Sequence, residues 1–166
     1  MVFSTLKFAR REVGIQNRER RMMNMTKVGK TYLCLGIAQA LHSMEEMHNH
    51  LFDFFWTATG LFKHNIPNLP QFKMSAELFA ILNMGFIVVI LATVPFVELN
   101  RRWTIVFAWC WAIIEVLNGL LHMIGVVIFS GYVPGALSAP ILFIVGLVLI
   151  VQLSLRDKSH VSPASI

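Results

Sequence analysis

YLCLGIAQALHSMEEMHNH, residues 32 to 50, is an apolar run that turns polar without an intervening turn residue. Tyr32 to Leu41 would suit hydrocarbon, yet His42, Glu45, Glu46, His48 and Asn49 follow directly. The rest of the chain shows which environment applies. Of 166 residues, 56% are hydrophobic and 14% charged, and the mean hydropathy is +0.64. Such a composition excludes an ordinary soluble protein and points to an integral membrane protein.

Four apolar stretches predict four spans: about Thr31 to Asp53, Ala76 to Leu99, Trp103 to Phe129 and Ala136 to Leu155. With a rise of about 1.5 Å per residue, each is long enough to cross about 30 Å of hydrocarbon. Ile87-Val88-Val89-Ile90-Leu91 shows no alternation with polar positions, so the spans are helices. The expected fold is all-α: a membrane-embedded bundle of about four transmembrane helices over residues 31–155. A basic cytoplasmic segment, 1–30, precedes it as an interfacial helix or disordered tail, and a polar cytoplasmic tail, 156–166, follows. Between the first two spans, residues 54–74 mix Phe54, Phe55, Trp56, Phe62 and Phe72 with Pro67 and Pro70, which reads as an aromatic interfacial belt and a proline-fixed loop.

The net charge of +5 is concentrated, since residues 1–30 hold eight of the fourteen Lys and Arg. No stripe of base-stacking aromatics accompanies them, which excludes nucleic acid as a partner and favours a membrane surface. With four spans, one side carries twelve of the fourteen cations and the other only Lys63 and Lys73. The positive-inside rule then makes both termini cytoplasmic. Cys34 and Cys110 lie within apolar runs and are expected as small buried hydrophobes.

At 100° per residue, Gln39, His42, Glu45, Glu46, Asn49 and Asp53 fall within an arc of about 120° on an ideal helix. In the third span Glu115, Asn118 and His122 share a face with Trp111 and Gly119. Measured from the basic end of each span, His42 and Glu46 lie about 18 and 24 Å deep, and Glu115, Asn118 and His122 about 20, 24 and 30 Å. The two stripes overlap in depth, so spans one and three are expected to face each other around one polar cavity. Single polar contacts between membrane helices can serve as glue alone. So many ionisable groups at one depth are a costly way to do that, and a functional site is the better reading. Outside the stripes, Glu98 is expected to pair with Arg101, Glu77 to reach headgroup water, and Asn83 to pack.

His42-x-x-Glu45-Glu46, then Asn118-x-x-x-His122, then Tyr132-x-Pro134-Gly135 resemble, in order, the three motifs of the HXXEE-domain family of small integral membrane proteins. The resemblance runs from about residue 30 to 150. It implies a multi-span helical protein of a bacterial cytoplasmic membrane and no particular reaction. Glu115 stands outside the three motifs. Gly131, Pro134 and Gly135 suit a tight turn, over which the Tyr132 hydroxyl could bend back toward the cavity.

Imidazole and carboxylate together form the ligand set of zinc or non-haem iron. His42, Glu46 and His122 would supply two imidazoles and one carboxylate, leaving Glu45, Glu115, Asn118 and Tyr132 as candidates for acid/base or orienting roles. Glu45-x-x-His48 is a single E-x-x-H pair, whereas a di-iron bundle needs two. Without metal, a desolvated carboxylate beside imidazole could exchange protons with it. No phosphate-binding glycine loop or dinucleotide fingerprint occurs, so no nucleotide cofactor is expected. The leading expectation is an intramembrane enzyme, with or without a metal, acting on a lipid or apolar small molecule by hydrolysis or acid/base isomerisation. A proton- or cation-linked transporter is the alternative, as is a structural protein whose polar residues only join helices; a homo-oligomer fits any of the three. The polar stripes occupy one half of the membrane only, which favours the enzyme over a transporter needing access from both sides.

Overall fold

The computed structural model describes residues 25–66, 68 and 70–160, the side chains of 64, 65 and 157–160 excepted. The expectations for residues 1–24 and 161–166 lie outside the described residues. The described residues form five helices and no strand: α1 (Lys27–His48), α2 (Leu51–Asn65), α3 (Ala76–Glu98), α4 (Arg102–Phe129) and α5 (Ala139–His160). The all-α expectation holds. Three helices, α3, α4 and residues 139–156 of α5, are long and apolar enough to cross a membrane, and they make this an integral membrane protein.

Local signals set the helix ends. Thr26 caps α1 by accepting from the Gly29 amide, and Ser75 caps α3 by accepting from the Leu78 amide. α1 stops sooner than the stripe out to Asp53 implied. Asn49 Nδ2 donates to the Glu45 carbonyl, and His50 takes left-handed φ/ψ at φ 57°. Such a residue cannot continue a right-handed helix. The chain therefore restarts as α2, where a belt and loop were expected, and Asp53 is exposed on a different helix.

α2 folds over one end of α3 and α4. Phe52 and Phe55 meet Phe79 with ring centroids 6.0 and 6.2 Å apart, and Phe54 meets Phe129 at 4.9 Å. Thr59 Oγ1 accepts from the Phe72 amide, and Gln71 Nε2 donates to the Trp56 carbonyl, which ties the returning loop to α2.

α4 and α5 pack closely along their length; α1 lies against α3 and α5; the consecutive helices α3 and α4 touch little, as do α1 and α4. The order around the bundle is α3, α1, α5, α4, with a slack seam between the first and last. Tyr32, Leu35, Ile90, Ala108, Ala112, Leu142 and Leu149 fill the centre. Outward faces are apolar too, with Ile81, Val88, Val106, Leu121, Val127, Ile141 and Leu155 all exposed. So broad an apolar surface suits lipid, not water.

Two expectations fail in this packing. Cys34 and Cys110 are exposed rather than buried, because an apolar run does not distinguish a lipid-facing position from a core one. Glu98 turns to α1 instead of Arg101: its Oε1 accepts from the Thr26 amide at 2.8 Å and the Thr26 hydroxyl at 2.9 Å. The free first-turn donors of a helix draw a carboxylate more strongly than an exposed cation does.

The α4–α5 contact depends on two glycines. A Cβ on Gly119 would stand 2.8 Å from the Ala139 carbonyl oxygen, and one on Gly146 would stand 2.7 Å from Val116 Cγ2. Gly119→Val should therefore destabilise by about 1–3 kcal/mol, the usual cost of overpacking. A lowered midpoint of thermal or denaturant unfolding in detergent checks it, with Gly85→Ala, which meets open space, as the control.

Candidate functional site

His42 and Glu46 are one turn apart on α1 and point the same way, into the bundle. His122 reaches them from α4. Glu46 Oε1 stands 3.2 Å from His42 Nε2 and 3.1 Å from His122 Nε2. The imidazoles meet edge to face, with centroids 4.7 Å apart and planes at 86°. Exposure of the three residues is 0%, 5% and 8%, so the group is buried. Each offers one ligand atom, and these atoms all lie within 4.8 Å of one another.

The loop between α4 and α5 forms the lid of this group. Ser130 ends α4 in the left-handed region, and Gly135 has φ 94°. Gly135 is required for space as well as for conformation: a Cβ there would lie 2.8 Å from His122 Nδ1 and 2.9 Å from His42 Cε1. Backbone thus closes directly on both imidazoles.

Glu45 holds that loop in place. Its Oε1 accepts from the Tyr132 hydroxyl at 2.7 Å and the Leu137 amide at 3.0 Å. Its Oε2 accepts from the Ser138 amide at 2.8 Å and the Ser138 hydroxyl at 2.5 Å. The carboxylate also faces the start of α5, where free amides favour negative charge.

These bonds place one proton on His42. Ser138 Oγ has one proton and gives it to Glu45, so at its 2.8 Å contact with His42 Nδ1 it must accept. His42 therefore carries its proton on Nδ1. In the neutral ring Nε2 is then a lone pair, and it faces Glu46 with no hydrogen-bond donor to it.

Glu115 and Asn118 lie beside the triad. Asn118 lies beside the Glu115 carboxyl, whose Oε2 is buried with no hydrogen-bond partner. Both line a pocket of about 640 Å³ that also reaches Glu46 and His122. Aromatic and aliphatic side chains make up most of its wall.

The sequence-derived site residues thus fall into three places. His42, Glu46 and His122 come together as one group. Glu115 and Asn118 stand on the neighbouring pocket wall, while Glu45 and Tyr132 meet each other in the loop anchor. Asn49 is turned to its own helix end, and His48 and His50 are exposed. Ser138 was missed. Its place before Ala139-Pro140 reads as a helix start, but nothing local reveals a bond to His42, 96 residues away.

A family model described as a protein of unknown function with an HXXEE motif matches residues 33–150. This chain belongs to that family. The HXXEE motif itself is His42, Glu45 and Glu46, so one motif supplies two members of the buried group and the anchor of its lid. Comparison with curated proteins and with solved structures finds no match.

Two outcomes test this geometry. Gly135→Ala should destabilise the HXXEE bundle by about 1–3 kcal/mol through strain and contact with both rings, read from detergent unfolding. Partial burial and the Glu45 carboxylate push the Tyr132 phenol up from 10.0 to about 12. Its raised value means a stabilising contribution that is complete below pH 10 and lost as pH rises toward 12. The slope of stability against pH across that window should flatten in Tyr132→Phe.

Proposed function

We propose that this HXXEE protein is a membrane-embedded, metal-dependent enzyme that acts on a lipid or other apolar small molecule by hydrolysis or acid/base isomerisation. The observation that carries the reading is the Glu45–Ser138–His42 chain, which leaves the buried His42 Nε2 without a hydrogen bond and turned to Glu46 and His122. A carboxylate acting on the far nitrogen of a metal-binding histidine is a recurrent way to fix its tautomer and aim it. Ligands about 2.0–2.1 Å from a tetrahedral ion stand about 3.4 Å apart. The 3.1 and 3.2 Å separations here are close to that spacing.

In this reading His42, Glu46 and His122 hold zinc or non-haem iron, which would supply Lewis acidity to a substrate oxygen. Glu115, oriented by Asn118, is the group free to take or return a proton on the pocket side. Glu45 and Ser138 position His42, and Tyr132 positions Glu45; neither Glu45 nor Tyr132 is assigned a proton-transfer step, because the four donors on Glu45 leave it occupied.

We further assign α1 as a fourth span, with both termini on the cytoplasmic side. Its polar stripe faces inward while Ile37, Leu41 and Met44 are 51%, 56% and 68% exposed, an amphipathicity suited to lipid outside and polar groups inside. The enzyme is preferred over the transporter because the other end of the bundle is sealed. Tyr32 bonds Thr93 at 2.8 Å, Leu35 is fully buried, and Glu98 ties down the start of α1.

Protein purified without chelator should contain close to one equivalent of zinc or iron by elemental analysis. His42→Ala and His122→Ala should lose it, and Ser138→Ala should weaken metal affinity about 10–100-fold, as such outer contacts do. Well-folded wild type devoid of metal would sink the proposal. For topology, cysteines placed at Lys27 and Lys73, on either side of α1, in a Cys34/Cys110-free background should label from opposite faces of intact cells; labelling from one face rules out the fourth span.

A further inference from the structure

The pocket beside the triad is much larger than an ion requires. It occupies the slack seam between α3 and α4, with α1 as its floor and α2 closing one end. Leu82, Ile114, Leu117 and Leu121 stand on its rim and are 42%, 49%, 53% and 66% exposed, so the opening is sideways, through the surface that faces lipid. A molecule dissolved in the bilayer could enter without crossing water.

The floor has a definite hydrogen-bonding sense. Gln39 Nε2 donates to Ser43 Oγ at 3.1 Å; Ser43 donates to Asn83 Oδ1 at 2.7 Å; Asn83 Nδ2 donates to the Phe79 carbonyl at 3.1 Å. That sequence of bonds orients both amides. It leaves Gln39 Oε1 as a buried acceptor without a partner, joined by Glu115 Oε2. Among the described residues no Lys or Arg lines the pocket. Two unmet acceptors in an apolar slot call for a donor from the ligand, because a buried acceptor left unpaired is costly.

We infer that the seam binds a single-chain amphiphile entering sideways from the bilayer, with a non-anionic head that donates hydrogen bonds, a hydroxyl or primary amide, seated against Gln39 and Glu115. Its role as substrate rests on the enzyme reading above; its binding does not. A carboxylate or phosphate head would set acceptors against acceptors and add charge beside Glu46 and Glu115. The chain lies among Phe54, Phe79, Phe86 and Leu117, and the head comes within the same pocket as Glu46 and His122.

A photoreactive diazirine analogue of dodecan-1-ol, applied to the full chain in lipid nanodiscs, tests this by mass-spectrometric mapping. Label should fall on the pocket-lining residues of α3 and α4. Dodecan-1-ol and dodecanamide should displace it at concentrations at least tenfold lower than dodecanoate or dodecyl phosphate. Leu117→Trp, at the exposed rim, should cut labelling at least tenfold with unfolding unchanged, and Glu115→Leu should abolish the preference for donor heads. Equal displacement by all four, label spread over the outward faces, or wild-type labelling in Leu117→Trp each overturns the inference. Labelling is repeated on chelator-treated protein with metal measured in parallel. Seam labelling in a protein that never holds metal overturns the metal centre alone; retained metal without seam labelling overturns the seam alone.

Discussion

A carboxylate placed among apolar helices must be met by donors, and Glu45 is met by four, all from residues 132–138. Little else in the molecule combines so many strong bonds between distant parts of the chain. The interaction joins α1 to the α4–α5 connection, holds Gly135 against two imidazoles and sets the proton on His42. Loss of any one donor would leave the rest of the carboxylate in place; loss of the carboxylate would release the loop, the lid and the tautomer together. The adjacent glutamates of the motif therefore divide the labour. Glu45 faces the loop and Glu46 faces the histidines.

The bundle is arranged polar side inward, the reverse of a protein in water. Gln39, His42, Ser43, Glu46, Asn83, Glu115 and His122 are buried, while large aliphatic side chains line the outside. In lipid there is little hydrophobic drive between helices, and association depends on close packing and on polar contacts. Both are present and spatially separate. Gly119 and Gly146 let α4 and α5 approach, and the polar residues gather where α1 meets α4 through side chains instead of backbone. The same division explains why the α3–α4 seam stays slack, since neither close-packed glycines nor a bridging carboxylate draws it shut.

Much of this was legible from residue order. Apolar runs gave α3, α4 and α5 to within a few residues, because length and hydropathy alone decide a lipid-crossing helix. The 3.6-residue period put His42 and Glu46 on one face, and equal depth brought His122 to them. What failed did so for physical reasons. His50 breaks α1 through a left-handed conformation that its side chain does not announce, so α2 was read as a loop. Cys34 and Cys110 were placed inside because lipid accepts apolar side chains as readily as a core does. Ser138 and the second purpose of Gly135 were invisible because both arise from contacts across the chain, not from local pattern.

The inward polar stripe of α1 also bears on how the molecule is assembled. α1 is less apolar than α3, α4 and α5 and is not among the helices apolar enough to cross a membrane by composition. During synthesis it emerges before them, with its glutamates facing nothing that can donate to them. The Ser138 that meets Glu45 lies 93 residues further on. Until α5 and its preceding loop are made, α1 carries unmet charge on one face and lipid-loving side chains on the other, which suits residence at the membrane surface. The loop that closes the buried group is also what supplies the donors the first helix needs to sit in the bundle.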